Sequence, residues 1–132
     1  MPNQFLNPPS LGKTHGWTHV VASTGGKTIH ISGQTAVDAS GQVVGKGDLK
    51  RQTEQTFENL RLALAAAGAT WADVVATRLY VVNLKPEHVP LIREVRSRYV
   101  SPDHPPASTL VGVQALVGPD WLIEIEATAV IS

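Results

Sequence analysis

The sequence predicts an α+β domain in which a mixed β-sheet carries two helices on one face. Three observations lead there. Residues 123–131 alternate strictly, with Ile123, Ile125, Ala127, Ala129 and Ile131 on one side of a strand. Residues 74–82 form a run rich in β-branched side chains, apolar on both faces except for Arg78, as expected of a central strand. Residues 48–67 and 87–100 repeat their apolar positions at helical spacing.

The 132 residues suit one domain. A chain of this size buries roughly two-thirds of its unfolded surface, enough for a core without crosslinks. Apolar residues make up 42% and charged residues 17%. The charged share is below a typical ~25%, which points to a surface partly buried against other subunits. The formal net charge is zero, so the clustered basic face of a nucleic-acid binder is not expected. Cysteine is absent, which removes disulfides, thiolate nucleophiles and thiolate metal sites and suits a reducing compartment. The first residues show no signal-peptide pattern, and no stretch approaches the ~20 apolar residues of a membrane span. A cytoplasmic location is the expectation.

Residues 1–16 read as an irregular N-terminal segment, with a breaker cluster at Asn7-Pro8-Pro9-Ser10-Leu11-Gly12. Two β-prone runs, 18–23 and 28–33, flank Gly25-Gly26 and read as a hairpin, since glycine supplies the positive φ of a tight turn. A second turn is expected at residues 38–41. The first helix, 48–67, has Asp48 as N-cap, Phe57, Leu60, Leu64 and Ala67 as its buried stripe, and Gly68 as its stop. Arg51, Glu54, Gln55, Glu58 and Arg61 form its solvated face. The second, 87–100, holds Pro90 in its first turn and buries Val89, Ile92, Val95 and Tyr99. Strands at 107–115 and 121–131 close the chain.

The last strand carries the chemical signal. Opposite its isoleucines stand Leu122, Glu124, Glu126, Thr128 and Val130. Two carboxylates at i and i+2 lie about 7 Å apart on one face of a strand. The rest of that face is apolar and turned away from the helices, as at a subunit contact. A carboxylate held there has its pKa raised by burial and by its neighbour, and can act as general base toward a water. The alternative is that both glutamates pair with basic side chains or face solvent.

Ile123-Glu124-Ile125-Glu126-Ala127, Ile31-Ser32-Gly33-Gln34, Ala65-Ala66-Ala67-Gly68 with residues 74–84, and Pro106-Ala107-Ser108-Thr109-Leu110-Val111 occur in the order seen in the RidA/YjgF/L-PSP family. The chain resembles that family from about residue 17 to residue 130. The resemblance implies a chorismate-mutase-like α+β fold and a homotrimer with a small-molecule cleft between each pair of subunits. It also implies hydrolysis of reactive enamines and imines to ketoacids and ammonia, without metal or cofactor. Glu124 corresponds to the family's water-positioning glutamate, and Trp17, Gly33, Ser108 and Leu110 fall on substrate-binding positions. One departure stands out. Catalytic members carry an arginine two residues after the proline of the strand motif, where it holds the substrate carboxylate; here that residue is Ser108. A hydroxyl cannot supply a bidentate charged fork. Arg78, Arg93 and Arg96 are the candidates to replace it from other elements, against the reading that they are solvated or structural.

Three function classes follow: a hydrolytic deaminase, a non-catalytic ligand-binding or protein-interaction trimer, and an endoribonuclease, which the neutral charge disfavours. His15 and His19 lack the helix that would align them on a metal. Gly25-Gly26-Lys27-Thr28 lacks the spacing and following helix of a phosphate loop. No Ser-His-Asp arrangement can be recognised from spacing.

Overall fold

The structure is a computed structural model, and it describes residues 3–132. Along the chain come β1 (Gln4–Leu6), β2 (Val20–Ala22), β3 (Lys27–Gln34), α1 (Leu49–Ala66), a 3₁₀ turn at Trp71–Asp73, β4 (Val74–Val82), α2 (His88–Arg96), β5 (Ala107–Val113) and β6 (Ile123–Ile131). The main sheet has the order β3-β6-β4-β5, with β4 and β5 parallel and the other pairs antiparallel. This is the expected α+β arrangement, with β4 and β6 as the two central strands.

Helix α1 begins where Asp48 caps it, its carboxylate accepting from the Arg51 amide at 3.1 Å. It ends at Gly68, whose φ of +78° only glycine adopts without penalty. Phe57, Leu60 and Leu64 are buried against Ile123, Ile125, Ala127 and Ala129 of β6, none of which is more than 1% exposed. The Phe57 ring stacks on Trp71 at 5.3 Å and on Tyr99 at 5.4 Å, joining α1 to the 3₁₀ turn and to the turn that follows α2. Leu79 and Val81 of β4 complete this face, while Arg78 and Tyr80 alternate onto the other.

α1 also buries a polar flank that its apolar stripe does not announce: Gln52, Thr53 and Thr56. Gln52 donates to the carbonyls of Gly45 and Asp120 at 3.2 and 2.9 Å and accepts from the Leu122 amide at 2.8 Å. One side chain thus satisfies the backbone of two loops, one of which leads directly into β6 and its glutamates.

Several local expectations are corrected. The run containing β2 does not pair with β3. It pairs with β1, inside the segment expected to be irregular, through Gln4↔Ala22, Phe5↔Val21 and Leu6↔Val20. Three residues are too few to show a periodicity, and the Phe5 ring is held by a contact with His104 at 4.6 Å that lies far off in sequence. Gly25 and Gly26 do turn the chain, both at positive φ. The turn, however, leads from the small sheet into the main one, where β3 aligns along β6. The second turn stands: Val37 bridges Val43, and the Asp38 carboxylate accepts from the amides of Ser40 and Gln42. Helix α2 stops at Arg96 rather than near residue 100, where the Ser97 hydroxyl donates to the Glu94 carbonyl, an alternative to regular helical bonding.

Candidate functional site

The sequence-selected residues fall into two groups, one on each face of the sheet. On the helix face, Ser108 and Leu110 of β5 line a cavity of about 260 Å³ with Trp17, Leu79, Val89, Ile92, Arg93 and Arg96. Ser108 lies beside Thr77 in the parallel register, and its hydroxyl oxygen accepts from the Thr77 hydroxyl at 3.1 Å. That leaves the Ser108 proton free to point into the cavity. Trp17 reaches the same place because the next residue is tied down: the Thr18 amide donates to the Pro106 carbonyl at 3.1 Å and the Thr18 hydroxyl to that of Pro105. The N-terminal segment is thereby fastened to the start of β5. The rings of His15 and His19 sit edge-on to Trp17 at 6.1 and 6.5 Å, so they flank the indole. Among the described residues no group of three or more histidine, aspartate or glutamate side chains is placed to hold a metal ion.

On the open face, Glu124 stands on β6 opposite Tyr80 of β4 and next to Gly33 of β3. The β3–β6 register shifts between Ile31 and Gln34. This bulge brings the Gly33 backbone under the carboxylate, so that a Cβ on Gly33 would lie 2.9 Å from Glu124 Cγ and 2.8 Å from Cδ. Glu124 makes no hydrogen bond or ion pair among the described residues.

Glu126, two residues on, is fully engaged. The Tyr80 hydroxyl donates to it at 2.5 Å and Arg78 Nε lies at 3.2 Å. The Tyr80 hydrogen bond, more than the nearby Arg78 charge, holds the Glu126 carboxyl below its ordinary range, and burial opposes this only partly. The same hydrogen bond, with desolvation and the Glu126 charge, pushes the Tyr80 phenol up. The expectation of a raised carboxylate pKa on this face is therefore reversed at Glu126, because a partnered carboxylate is stabilised in its charged form. Arg78 also donates to the Thr128 hydroxyl at 3.2 Å, which occupies it on this face.

Trp17, Ser108 and Leu110 thus come together, and so do Gly33 and Glu124, but the sheet lies between the two groups. Of the three arginines considered as replacements at Ser108, Arg93 and Arg96 reach its cavity and Arg78 does not. The contribution of Val89 and Ile92 was legible only as helix core. Their place on the cavity wall depends on the tertiary packing that sets α2 beside Leu79 of β4 and Leu110 of β5.

The chain is thus a two-helix α+β domain with a small cavity against its edge strand β5 and an unpaired carboxylate on the opposite face of the sheet. The family model described as Endoribonuclease L-PSP matches residues 9–131. The chain is 36% identical over 104 residues to a RutC family protein of Pyrococcus abyssi, covering 79% of each. It is 30% identical over 133 residues to the 3-aminoacrylate deaminase RutC of Acinetobacter baylyi, covering 98% of each. Among solved structures, a protein of the conserved Rid family from Yersinia pestis, described as of unknown function, superposes with a TM-score of 0.91 at 41% identity, covering 99% of this chain and 100% of that one. The chain belongs to the RidA/YjgF/L-PSP family.

Proposed function

We propose that this protein hydrolyses small reactive enamines or imines in clefts between three copies of itself, with Glu124 as the base that activates water. The observation that carries this reading is the contrast between two neighbouring carboxylates. Glu126 is consumed by Tyr80 and Arg78, whereas Glu124 is unpaired and held over Gly33. The deaminase name of the Acinetobacter relative supports the reaction class.

In the first step the water oxygen bonds to the imine carbon while Glu124 takes a water proton and passes it to the nitrogen. In the second, the hydroxyl proton of the resulting carbinolamine moves through the same carboxylate to nitrogen, the C–N bond breaks and ammonia leaves. One water is consumed and a carbonyl is formed. Glu124 is the catalytic residue; Gly33 is a positioning residue beneath it.

The separation of the two groups of residues supports assembly. Glu124 lies beside edge strand β3, while Ser108 and Leu110 lie on edge strand β5. For both to face one ligand, the β3 side of one copy has to meet the β5 side of the next. That contact joins two different surfaces, and repeated head to tail it closes into a ring rather than a two-fold dimer. Light scattering is expected to give about three times the chain mass of 14.1 kDa; a monomer at micromolar concentration would leave the two half-sites apart.

A second reading, a non-catalytic ligand-binding trimer, is favoured by Ser108, which offers a neutral hydroxyl where catalytic relatives are expected to carry a guanidinium. Ammonia release separates the two. An imine generated in situ by an amino-acid oxidase should lose ammonia faster with the protein than without it. No acceleration at protein concentrations equal to the imine would favour the binding reading.

A further inference from the structure

Arg93 and Arg96 stand one turn apart on α2 and both line the 260 Å³ cavity beside Ser108. Both also line the adjoining cavity of about 230 Å³, with Gly16, Val100, Pro102 and Pro105 among its other walls. The two arginines therefore stand where the cavities meet. Neither has an ion pair or side-chain hydrogen bond among the described residues. Arg61, Arg78 and Arg98, by contrast, each hold a glutamate. No carboxylate lines either cavity.

Leaving Arg96 in this position is costly. Burial, followed by the like charge of Arg93, pulls its pKa below the ordinary arginine value. The backbone makes room for it: Gly16, at φ +88°, would place a Cβ 2.5 Å from Arg96 Nη2. A side chain at Gly16 would drive the guanidinium out of its place. Arg96, half-buried, and Arg93, at the exposed edge, are both left unpaired at a site whose remaining walls are largely apolar, including Trp17, Leu79, Val89, Ile92 and Leu110.

We propose that Arg93 and Arg96 form a double anion site in this cavity and that its ligand is a short dicarboxylate, as an imine or the corresponding ketoacid. One carboxylate would engage one guanidinium and leave the other without an anion; two carboxylates match the pair, each in a planar fork, one at the half-buried Arg96 and one at the exposed Arg93. The Ser108 proton adds a neutral donor between strand and helix. The arginine pair thus supplies from α2 the charge that Ser108 does not supply from β5. As a statement of substrate class this rests on the deaminase reading, but the anion site itself does not.

Isothermal titration calorimetry with two stable ketoacids tests it without turnover. The wild type is expected to bind 2-oxoglutarate about ten-fold or more tighter than 2-oxobutanoate, on the strength of charge-assisted hydrogen bonds. Arg93→Gln and Arg96→Gln should each abolish most of that preference while melting near the wild-type temperature. Arg93→Lys and Arg96→Lys, which keep charge but lose the fork, should retain part of it and serve if the glutamine variants do not fold. Equal affinity for the two acids in the wild type, binding of neither, or a preference unchanged in every folded variant would overturn the proposal. A preference for 2-oxoglutarate with no ammonia release from any imine would instead remove the deaminase reading and leave the anion site standing.

Discussion

The carboxylate arm of Glu124 rests on the backbone of Gly33, with room for a hydrogen but not for a methyl group between them. The contact exists because the β3–β6 pairing shifts at this point.

Gly33→Ala is therefore expected to move Glu124 rather than unfold the sheet. The obstructed atoms belong to a flexible side chain, so overpacking is expected to cost no more than about 1 kcal/mol, at the low end of such changes. The rate of imine hydrolysis should fall about ten-fold or more, as positioning losses of this size do. Thermal denaturation beside an ammonia-release assay checks both. A large loss of stability with an unchanged rate per folded molecule would contradict the positioning role.

Gln52→Leu tests the buried polar link between α1 and the approach to β6. The substitution keeps bulk but leaves the Leu122 amide and the Gly45 and Asp120 carbonyls without their side-chain partner. A loss of about 2–4 kcal/mol is expected by denaturant titration, since unsatisfied buried groups cost about 1–3 kcal/mol each and loop groups regain some water. A loss under about 0.5 kcal/mol, the range of ordinary surface substitutions, would show that water replaces the side chain fully.

The Tyr80–Glu126–Arg78 network sets a pH dependence. Glu126 has its folded-state pKa lowered, chiefly by Tyr80. Its contribution is therefore present above the ordinary carboxylate pKa and is lost as pH falls through the lowered folded value. Wild type should melt above Glu126→Gln at pH 7, and the two should converge as pH falls below about 4, where an unperturbed glutamate protonates. The gap should be small, because both side chains are about one-third exposed and solvent screens the pair. A gap that widens on acidification would reverse the assigned sign.

Much of the fold was legible because the deciding signals are local. The alternation of β6, the β-branched run of β4, the Asp48 cap and the Gly68 stop each act within a few residues, and each lies where its pattern put it. The pairing of β2 was not legible. Gly25-Gly26 marks a turn, but which strand β2 joins is decided by β1, itself steadied by Phe5 against His104. The site was legible by halves for the same reason. Glu124 and Gly33 share a family pattern and a strand pair, and Ser108 and Leu110 share a strand. That the sheet separates them depends on the register of β5 and β6 on β4, and that Arg93 and Arg96 rather than Arg78 share a cavity with Ser108 depends on how α2 packs on the sheet. The reversal at Glu126 had a sequence signal in Tyr80 and Arg78, whose alternation on β4 puts both on the glutamate face.

The most direct test of the account is the rate of ammonia release by Glu124→Gln, with Glu126→Gln as its control, on an imine or enamine that the wild type hydrolyses. The amide keeps the shape of Glu124 and removes its basicity, so kcat should fall about 10²–10⁴-fold, the usual contribution of a general base. Oligomeric mass and melting temperature should stay as in wild type, because Glu124 makes no hydrogen bond or ion pair among the described residues. Glu126→Gln, which loses its charge-assisted contacts with Tyr80 and Arg78, should change stability more than rate. A Glu124→Gln protein that releases ammonia at the wild-type rate would contradict the role of Glu124 as the base toward water.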